Sequence, residues 1–319
     1  MDKTVIGASN SVSYALASKV RDYFILIKFT LSFMVVFSCV VCYLLAPNIK
    51  FDFISVFVLF VAGMLITGSA NAINQTVEKD TDMMMKRTAD RPVAAGRMTE
   101  KEAWTFAILI GVSGLLIMWQ WFNFASAMIG LFSLFLYAFI YTPLKKVNSI
   151  AVLAGALPGA LPCLIGWVAG TGLINPIAQF QGTMATGQVH TFFNYGGYIL
   201  FAIQFLWQFP HFWAIAWVAH KDYSKAGFKL LPSEKGPTKF TAMQTVMYST
   251  LMVPIGMLPY FFDISGMLAF WVLLLCNLWM VYVSINLVIK MNVAAARKVM
   301  FSSYFYLMIV FLALLVDKI

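Results

Sequence analysis

The sequence predicts an all-α, polytopic membrane protein with about nine transmembrane helices in a single domain, residues 1–319. Three observations predict it. Hydrophobic residues make up 61% of the chain and charged residues 11%, whereas soluble domains carry about a quarter charged residues. Too little polar surface exists to cover a water-soluble fold, so lipid must be the outer solvent. Apolar runs of roughly 20 residues, the length a span needs, recur along the chain. The bases between them alternate in a way that sorts the connections to two sides.

The elements follow in order. Residues 1–22 form a polar N-terminal segment with no cleavable signal pattern and no arginine-rich presequence. The spans are expected at 24–46, 52–74, 103–122, 124–141, 149–170, 196–219, 242–262, 266–289 and 299–316. Phe122-Asn123 and Asp263-Ile264-Ser265 are connections so short that the spans they join must be antiparallel hairpins. All of the 22 Lys and Arg except Lys28, Lys50 and Lys318 fall in the N-terminal segment and in alternate loops, while the long 171–195 loop has none. The positive-inside rule then puts the N-terminus in the cytoplasm and the C-terminus outside, in a bacterial cytoplasmic (inner) membrane. The same rule accounts for the net charge of +9 without nucleic acid. Most of these bases are read as a solvated face beside anionic lipid.

Cys39 and Cys42 share a helical face. They fit packing better than a metal or redox pair, and no disulfide framework or zinc spacing occurs.

The acids are less evenly spread. Of 13, six lie in the 75–102 loop: Glu78, Asp80, Asp82, Asp90, Glu100 and Glu102. Asn74, Glu78 and Asp82 are spaced i, i+4, i+8, so a helix continuing out of the second span stacks them on one face. Oxygen ligands of this kind suit Mg²⁺, which keeps positions for water and phosphate oxygens. Lys86, Arg87 and Arg91 follow and suit phosphate. The bland alternative is a solvated helix end with ion pairs, and spacing alone does not separate the two. Position favours function, because ionisable groups emerging from a span are costly.

Other groups are expected on the same side. Asp222 is the only acid between residues 103 and 233, in a second loop, 220–241, that caps the site with the first. Tyr141, Lys145 and Lys146 close the fourth span, and Lys28 lies just inside the first. His211 is the only histidine expected within the membrane. It is either a functional ring or a buried histidine in a helix kinked by Pro210. His220 and His190 read as interfacial. Thr99 and Glu102 fit an N-terminal capping box. Asp90 is expected to pair with Arg87 or Arg91, and Met83, Met84 and Met85 to pack on the lid.

At these residues the chain resembles the UbiA superfamily of intramembrane prenyltransferases, over roughly residues 22–316. Asn74, Glu78 and Asp82 match its first acidic motif, and Tyr141 with Lys145 its Y-x-x-x-K. The resemblance is strongest to the superfamily's heme branch. It rests there on Glu78–Pro92, on Trp207-Gln-Phe-Pro-His-Phe-Trp213, and on Asp222-Tyr-Ser-Lys-Ala-Gly227 followed by Leu231-Pro232. Two positions depart. The second motif keeps one carboxylate, since Val218 and Ala226 flank Asp222 at four residues, and Lys28 is followed by Phe29-Thr30 where the branch often has Pro-Arg.

The resemblance implies farnesyl transfer from farnesyl diphosphate to a vinyl group of heme b, giving heme O and diphosphate. It implies Mg²⁺ as cofactor on Asn74, Glu78, Asp82 and Asp222. Asp82, Asp222, His211 and Tyr141 are then expected to be catalytic. Lys28, Arg87, Arg91, Lys145, Tyr223 and Lys225 are expected to bind substrate, and Phe205, Trp207, Phe209, Phe212 and Trp213 to wall in an allylic cation. A downstream heme A synthase or terminal oxidase assembly is the expected partner. The alternatives are prenylation of an aromatic acid for quinone synthesis, a transporter, and a non-catalytic heme assembly factor. The Pro210-His-Phe-Trp213 and Asp222-Tyr-Ser-Lys-Ala-Gly227 stretches argue against the first, and the absence of a clear repeat, with acids at one interface, against the second. A single intramembrane histidine is thin support for the third.

Overall fold

The structure, a computed structural model, describes residues 17–183, 189–233 and 235–319, with backbone alone over 180–183 and 189–192. The chain forms helices α1 (Ala17–Leu26), α2 (Phe29–Leu45), α3 (Phe53–Val77), α4 (Lys79–Met83), α5 (Glu100–Trp121) and α6 (Phe124–Phe135). A π-helical turn (Leu136–Tyr141) leads into α7 (Thr142–Leu144) and α8 (Ala151–Thr171). A hairpin of β1 (Gln179–Thr183) and β2 (Val189–Phe193) follows, then α9 (Gly196–Val218), α10 (His220–Lys225), α11 (Lys239–Phe261), α12 (Met267–Lys290) and α13 (Val293–Val316).

Among the described residues, seven helices are long and apolar enough to cross a membrane, and an eighth crossing arises if the bent pair α1 and α2 is one span. The expected first span, 24–46, is therefore broken by 52° at Ile27-Lys28, where Lys28 adopts the left-handed region at φ 49°. The sequence carries no Pro or Gly at that break. Where a seventh span was expected, α11 falls short in apolarity, because Gln244, Thr245, Ser249 and Thr250 interrupt its 23 residues. The expected 171–195 loop contains the antiparallel hairpin, pairing Gln179 with Phe193. Asn194 fixes its foot, accepting from Trp167 Nε1 at 2.7 Å and donating to the carbonyls of Leu173 and Asn175.

Local sequence starts several of these helices. Asp52, Thr99, Asn123 and Asn292 each accept from the backbone N–H three residues on, satisfying donors that a helix end leaves open. The capping box at Thr99 is thus formed on its threonine side. At the opposite end of the chain, Asp317 accepts from Ala269 N–H at the start of α12, and Lys318 donates to the carbonyls of Leu44, Ala46 and Ile49 at the end of α2.

The two largest apolar clusters form most of the interior. One joins α9, α11, α12 and α13 with residues of α2 and α8, and the other joins α2, α3, α5, α6 and α8. Helix α8 packs against both α2 and α9 and is the most buried span. Lipid offers no partner for a bare carbonyl, so the prolines within α8 need help from its neighbours. Pro162 has no N–H to give the carbonyl of Pro158, and Ser133 Oγ donates there instead at 3.2 Å. Gln204 and Gln208 of α9 donate to the carbonyls of Gly159 and Ala156. Gly166 lets α8 lie against the Cys39 carbonyl of α2, where any Cβ would collide. Cys39, Cys42 and Cys163 are buried free thiols of these clusters, which agrees with packing.

Candidate active site

The site forms where α3 leaves the bundle. Helix α3 ends at Val77 and α4 starts at Lys79, but hydrogen bonds of helical spacing carry across Glu78 between them. Glu78 N–H bonds to the Asn74 carbonyl at 3.0 Å and Asp82 N–H to the Glu78 carbonyl at 2.7 Å. The i, i+4, i+8 spacing thus becomes a real stack, and all three side chains are buried. Each meets a cation or cationic donor from a different element. Lys28 Nζ donates to Asn74 Oδ1 at 2.8 Å, and this lysine sits at the break between α1 and α2. Lys145 Nζ lies 2.5 Å from Glu78, with both side chains less than a tenth exposed. Arg91 Nη1 reaches both oxygens of Asp82 at 2.8 and 2.7 Å.

Burial costs these charges water. It pushes the Asp82 carboxyl above its ordinary value of 3.8 against the opposing pull of Arg91. Burial likewise holds Lys145 below 10.5, and the neighbouring Glu78 opposes it. Buried pairs of this kind roughly break even in stability. Both members gain when a divalent cation meets the acids and a polyanion meets the bases.

The π-helical turn positions the next group. It ends at Tyr141, just before Pro143, and π turns inside helices occur often at functional sites. Thr142 Oγ1 donates to the Tyr137 carbonyl and accepts from Asn74 Nδ2. The Tyr141 ring lies against Gly155 of α8, where a Cβ would clash, and 4.9 Å from Lys145 Nζ. Phe228 covers the other side of that ammonium at 5.2 Å. Its neighbour Lys229 donates its N–H to the Lys145 carbonyl, tying the 219–238 segment to the end of α7. Arg87 donates to Tyr223 OH at 3.3 Å, which joins the two capping loops.

The structure therefore brings together Lys28, Asn74, Glu78, Asp82, Arg87, Arg91, Tyr141, Lys145 and Tyr223. Asp222 and Lys225 stay apart. Asp222 is half-buried on the first turn of α10, with no ion pair among the described residues, and Lys225 is exposed. Among the described residues no three acidic, histidine or cysteine side chains gather around one point. The set that fits a metal is an amide and two carboxylates. These hard oxygen donors lie on one face across the junction of α3 and α4, which is chemistry suited to Mg²⁺.

Several expectations change. Asp90 pairs with Arg97 at 2.8 Å, because Arg91 is committed to Asp82 and Arg87 to Tyr223. Of the three methionines only Met85 is buried, while Met83 and Met84 are exposed. Phe209 and Trp213 are buried against Tyr248 of α11 as packing rings. The side chain of His190 lies outside the described residues. Sequence reasoning missed Asn71, Tyr137 and Phe228. Only Asn71 carried a signal, as a second amide one turn inside Asn74.

Beneath the motif a narrow apolar cavity lies among α2, α3, α5, α6 and α8. Asn71 and Tyr137 lie at its upper end, hydrogen-bonded at 3.3 Å. Val35, Cys39, Gly63, Ile66, Pro158 and Ile165 line it, and fully buried Met118 lies deepest.

A model of the UbiA prenyltransferase family matches residues 35–313. The chain belongs to the UbiA prenyltransferase family. It is 41% identical to the protoheme IX farnesyltransferase of Cytophaga hutchinsonii, over 95% of this chain and all of that one. Among solved structures, a digeranylgeranylglyceryl phosphate synthase superposes with a TM-score of 0.74 at 20% identity, covering 94% of this chain and 98% of the other. A UbiA homologue from Archaeoglobus fulgidus, bound to GPP and Mg²⁺, gives 0.60 at 15% identity over 92% and 99%. This UbiA prenyltransferase is thus a membrane enzyme that transfers a prenyl group of the farnesyl type, and it closely resembles protoheme IX farnesyltransferases.

Proposed function

We propose that the chain transfers the farnesyl group of farnesyl diphosphate to a vinyl group of heme b, releasing diphosphate. The observation that carries this is the stack itself: Asn74, Glu78 and Asp82, each on a base that a diphosphate would draw away. Asn74, Glu78 and Asp82 would hold Mg²⁺, with Asp222 approaching once substrate closes the loops. Bound there, the ion would neutralise charge on the leaving diphosphate.

The protein's own groups do the rest. Lys28, Lys145 and Arg91 turn from amide and carboxylate to diphosphate oxygens, joined by Arg87 and Tyr223. The Tyr141 hydroxyl is a further donor. These donors are worth most on the leaving oxygen, where charge develops as the C–O bond breaks. The cavity below Asn71 receives the apolar tail and keeps water from the allylic carbon. The eight residues from Asn71 to Gly63 rise about 12 Å, the reach of three extended isoprene units. The vinyl carbon forms the new C–C bond. A water hydroxyl completes the hydroxyethylfarnesyl group, and its proton leaves to solvent.

The same reading makes α11 a ninth crossing, places the N-terminus and the site in the cytoplasm, and makes the C-terminus external, in a bacterial inner membrane. The product would pass to an enzyme that oxidises the heme periphery or to a terminal oxidase assembly.

The test is incubation of purified protein with heme b, farnesyl diphosphate and Mg²⁺, read by mass spectrometry. Farnesylated heme is expected. No such product, with prenylation of 4-hydroxybenzoate instead, would overturn the acceptor.

A further inference from the structure

Lys28 reaches Asn74 from an unusual backbone. It stands in the left-handed region, at φ 49° and ψ 57°, between α1 and α2. A residue with a Cβ is crowded there and persists only where its surroundings hold it. The bend also ends the helical ladder, so carbonyls at the end of α1 lose their regular donors. Within a membrane a bare carbonyl has no water to turn to.

Gln75 meets that need. Its Nε2 donates to the carbonyls of Ile25 and Leu26, each at 2.8 Å. The next carbonyl, of Ile27, accepts from Ser32 Oγ at 2.7 Å and from Asn71 Nδ2 at 3.3 Å. Asn71 Nδ2 also donates to Ser32 Oγ at 3.0 Å. Asn71, Asn74 and Gln75 are spaced i, i+3, i+4, so they share one face of α3, and all three are sealed from solvent. Two of these amides grip the backbone of the break. The third receives the ammonium that the break aims.

The grip leaves Gln75 itself unsatisfied. With its amide N–H groups directed at carbonyls, its Oε1 is buried without a partner. Turning the amide over would set an oxygen against two carbonyl oxygens. An orphaned acceptor and a left-handed lysine, unfavourable features at one break, mark a place built for geometry. The bond from Lys28 to Asn74 is the one that a diphosphate would take over. Once the ammonium turns, Asn74 no longer holds the lysine, and the grip on the carbonyls of residues 25–27 keeps its backbone in place.

We propose that Gln75, backed by Ser32, is a positioning residue that locks the break between α1 and α2 so that Lys28 points at the diphosphate. It acts only through Lys28. This rests on the leaving-group role of Lys28 given above.

The test is a double-mutant cycle in the full-length protein in nanodiscs. Gln75→Met keeps the length of the side chain and removes its donors, and Lys28→Met removes the ammonium. Affinity for inorganic diphosphate with Mg²⁺ is read first. It needs no acceptor, and a dissociation constant does not depend on a misfolded fraction. Each single variant should weaken it about tenfold. The double variant should bind no more weakly than Lys28→Met, since a residue that acts through the lysine then has nothing left to aim. Turnover of farnesyl diphosphate with heme b should follow the same pattern. Its kcat should fall about a hundredfold in Lys28→Met, less in Gln75→Met and no further in the double, with KM for heme b unchanged. Should Gln75→Met fail to fold, Ser32→Ala, which frees only one donor to the Ile27 carbonyl, takes its place in the cycle. Losses that multiply in the double variant would make the grip merely structural and overturn the proposal, as would wild-type diphosphate affinity in the single variant of the grip. Failure of the acceptor reading looks different: farnesylated heme is absent while the diphosphate cycle keeps its pattern.

Discussion

The Glu78–Lys145 pair offers a quantitative test of the site. The two charges are 2.5 Å apart with both side chains almost sealed. Their attraction at an effective dielectric near 20 is about 6–7 kcal/mol, and the water each ion has lost takes back most of it. The intact pair is therefore close to neutral for stability. Lys145→Met removes the attraction but leaves Glu78 buried and charged, which costs about 3–5 kcal/mol. Glu78→Met orphans Lys145 and costs a similar amount. The double variant Glu78→Met/Lys145→Met removes both ions and should return to within about 1 kcal/mol of wild type, giving a large coupling between neighbours. Prenyl transfer should behave differently. Each single variant and the double should lose about 10²–10³ in kcat, since the groups serve the leaving diphosphate. Thermal unfolding in detergent reads the first quantity and mass spectrometry of the product the second. Additive losses of stability would refute the buried-pair reasoning. Full activity in the double variant would remove both residues from the chemistry.

Three further predictions follow from single contacts. Met118→Ala should deepen the cavity and raise kcat/KM for geranylgeranyl over farnesyl diphosphate by about tenfold or more, and an unchanged ratio would place the tail elsewhere. Ser133→Ala leaves the Pro158 carbonyl bare in α8 and should cost about 1–3 kcal/mol in thermal or denaturant unfolding, with Ser133→Thr close to wild type. Asp52 caps α3, and its bonds to Ser55 hold its carboxyl below the ordinary 3.8. The folded state then binds fewer protons than the unfolded one, so the stability that Asp52 adds is full above that value and fades as pH falls through its lowered one. Asp52→Asn should flatten that acid-side slope, and an identical slope in wild type and variant would contradict the cap.

Much of the fold was legible because a span must be long and apolar whatever it packs against. The helix start at Thr99 was equally legible, since a cap is made within three residues. The break at Lys28 was not, because no breaker residue marks it and only the pull of Asn74, 46 residues away, gives the lysine a partner. The shortfall of α11 came from polar residues spread along the helix, and two of them, Thr245 and Ser249, are fully buried. Asp90 was assigned to the wrong arginine for a similar reason. Three arginines lie within seven residues of it, and only the distant claims of Asp82 and Tyr223 decide which is left.

By itself the sequence determined that this chain lives in lipid, which connections carry its bases, and that Asn74, Glu78 and Asp82 share a helical face. These follow from local periodicity and from the cost of charge in a membrane. Only the tertiary structure decided which base meets which acid, that Phe228 closes over Lys145, and that Ser303 meets His211 from 92 residues away. Those are contacts between helices remote in sequence. Their partners are set by packing, on which no local pattern bears.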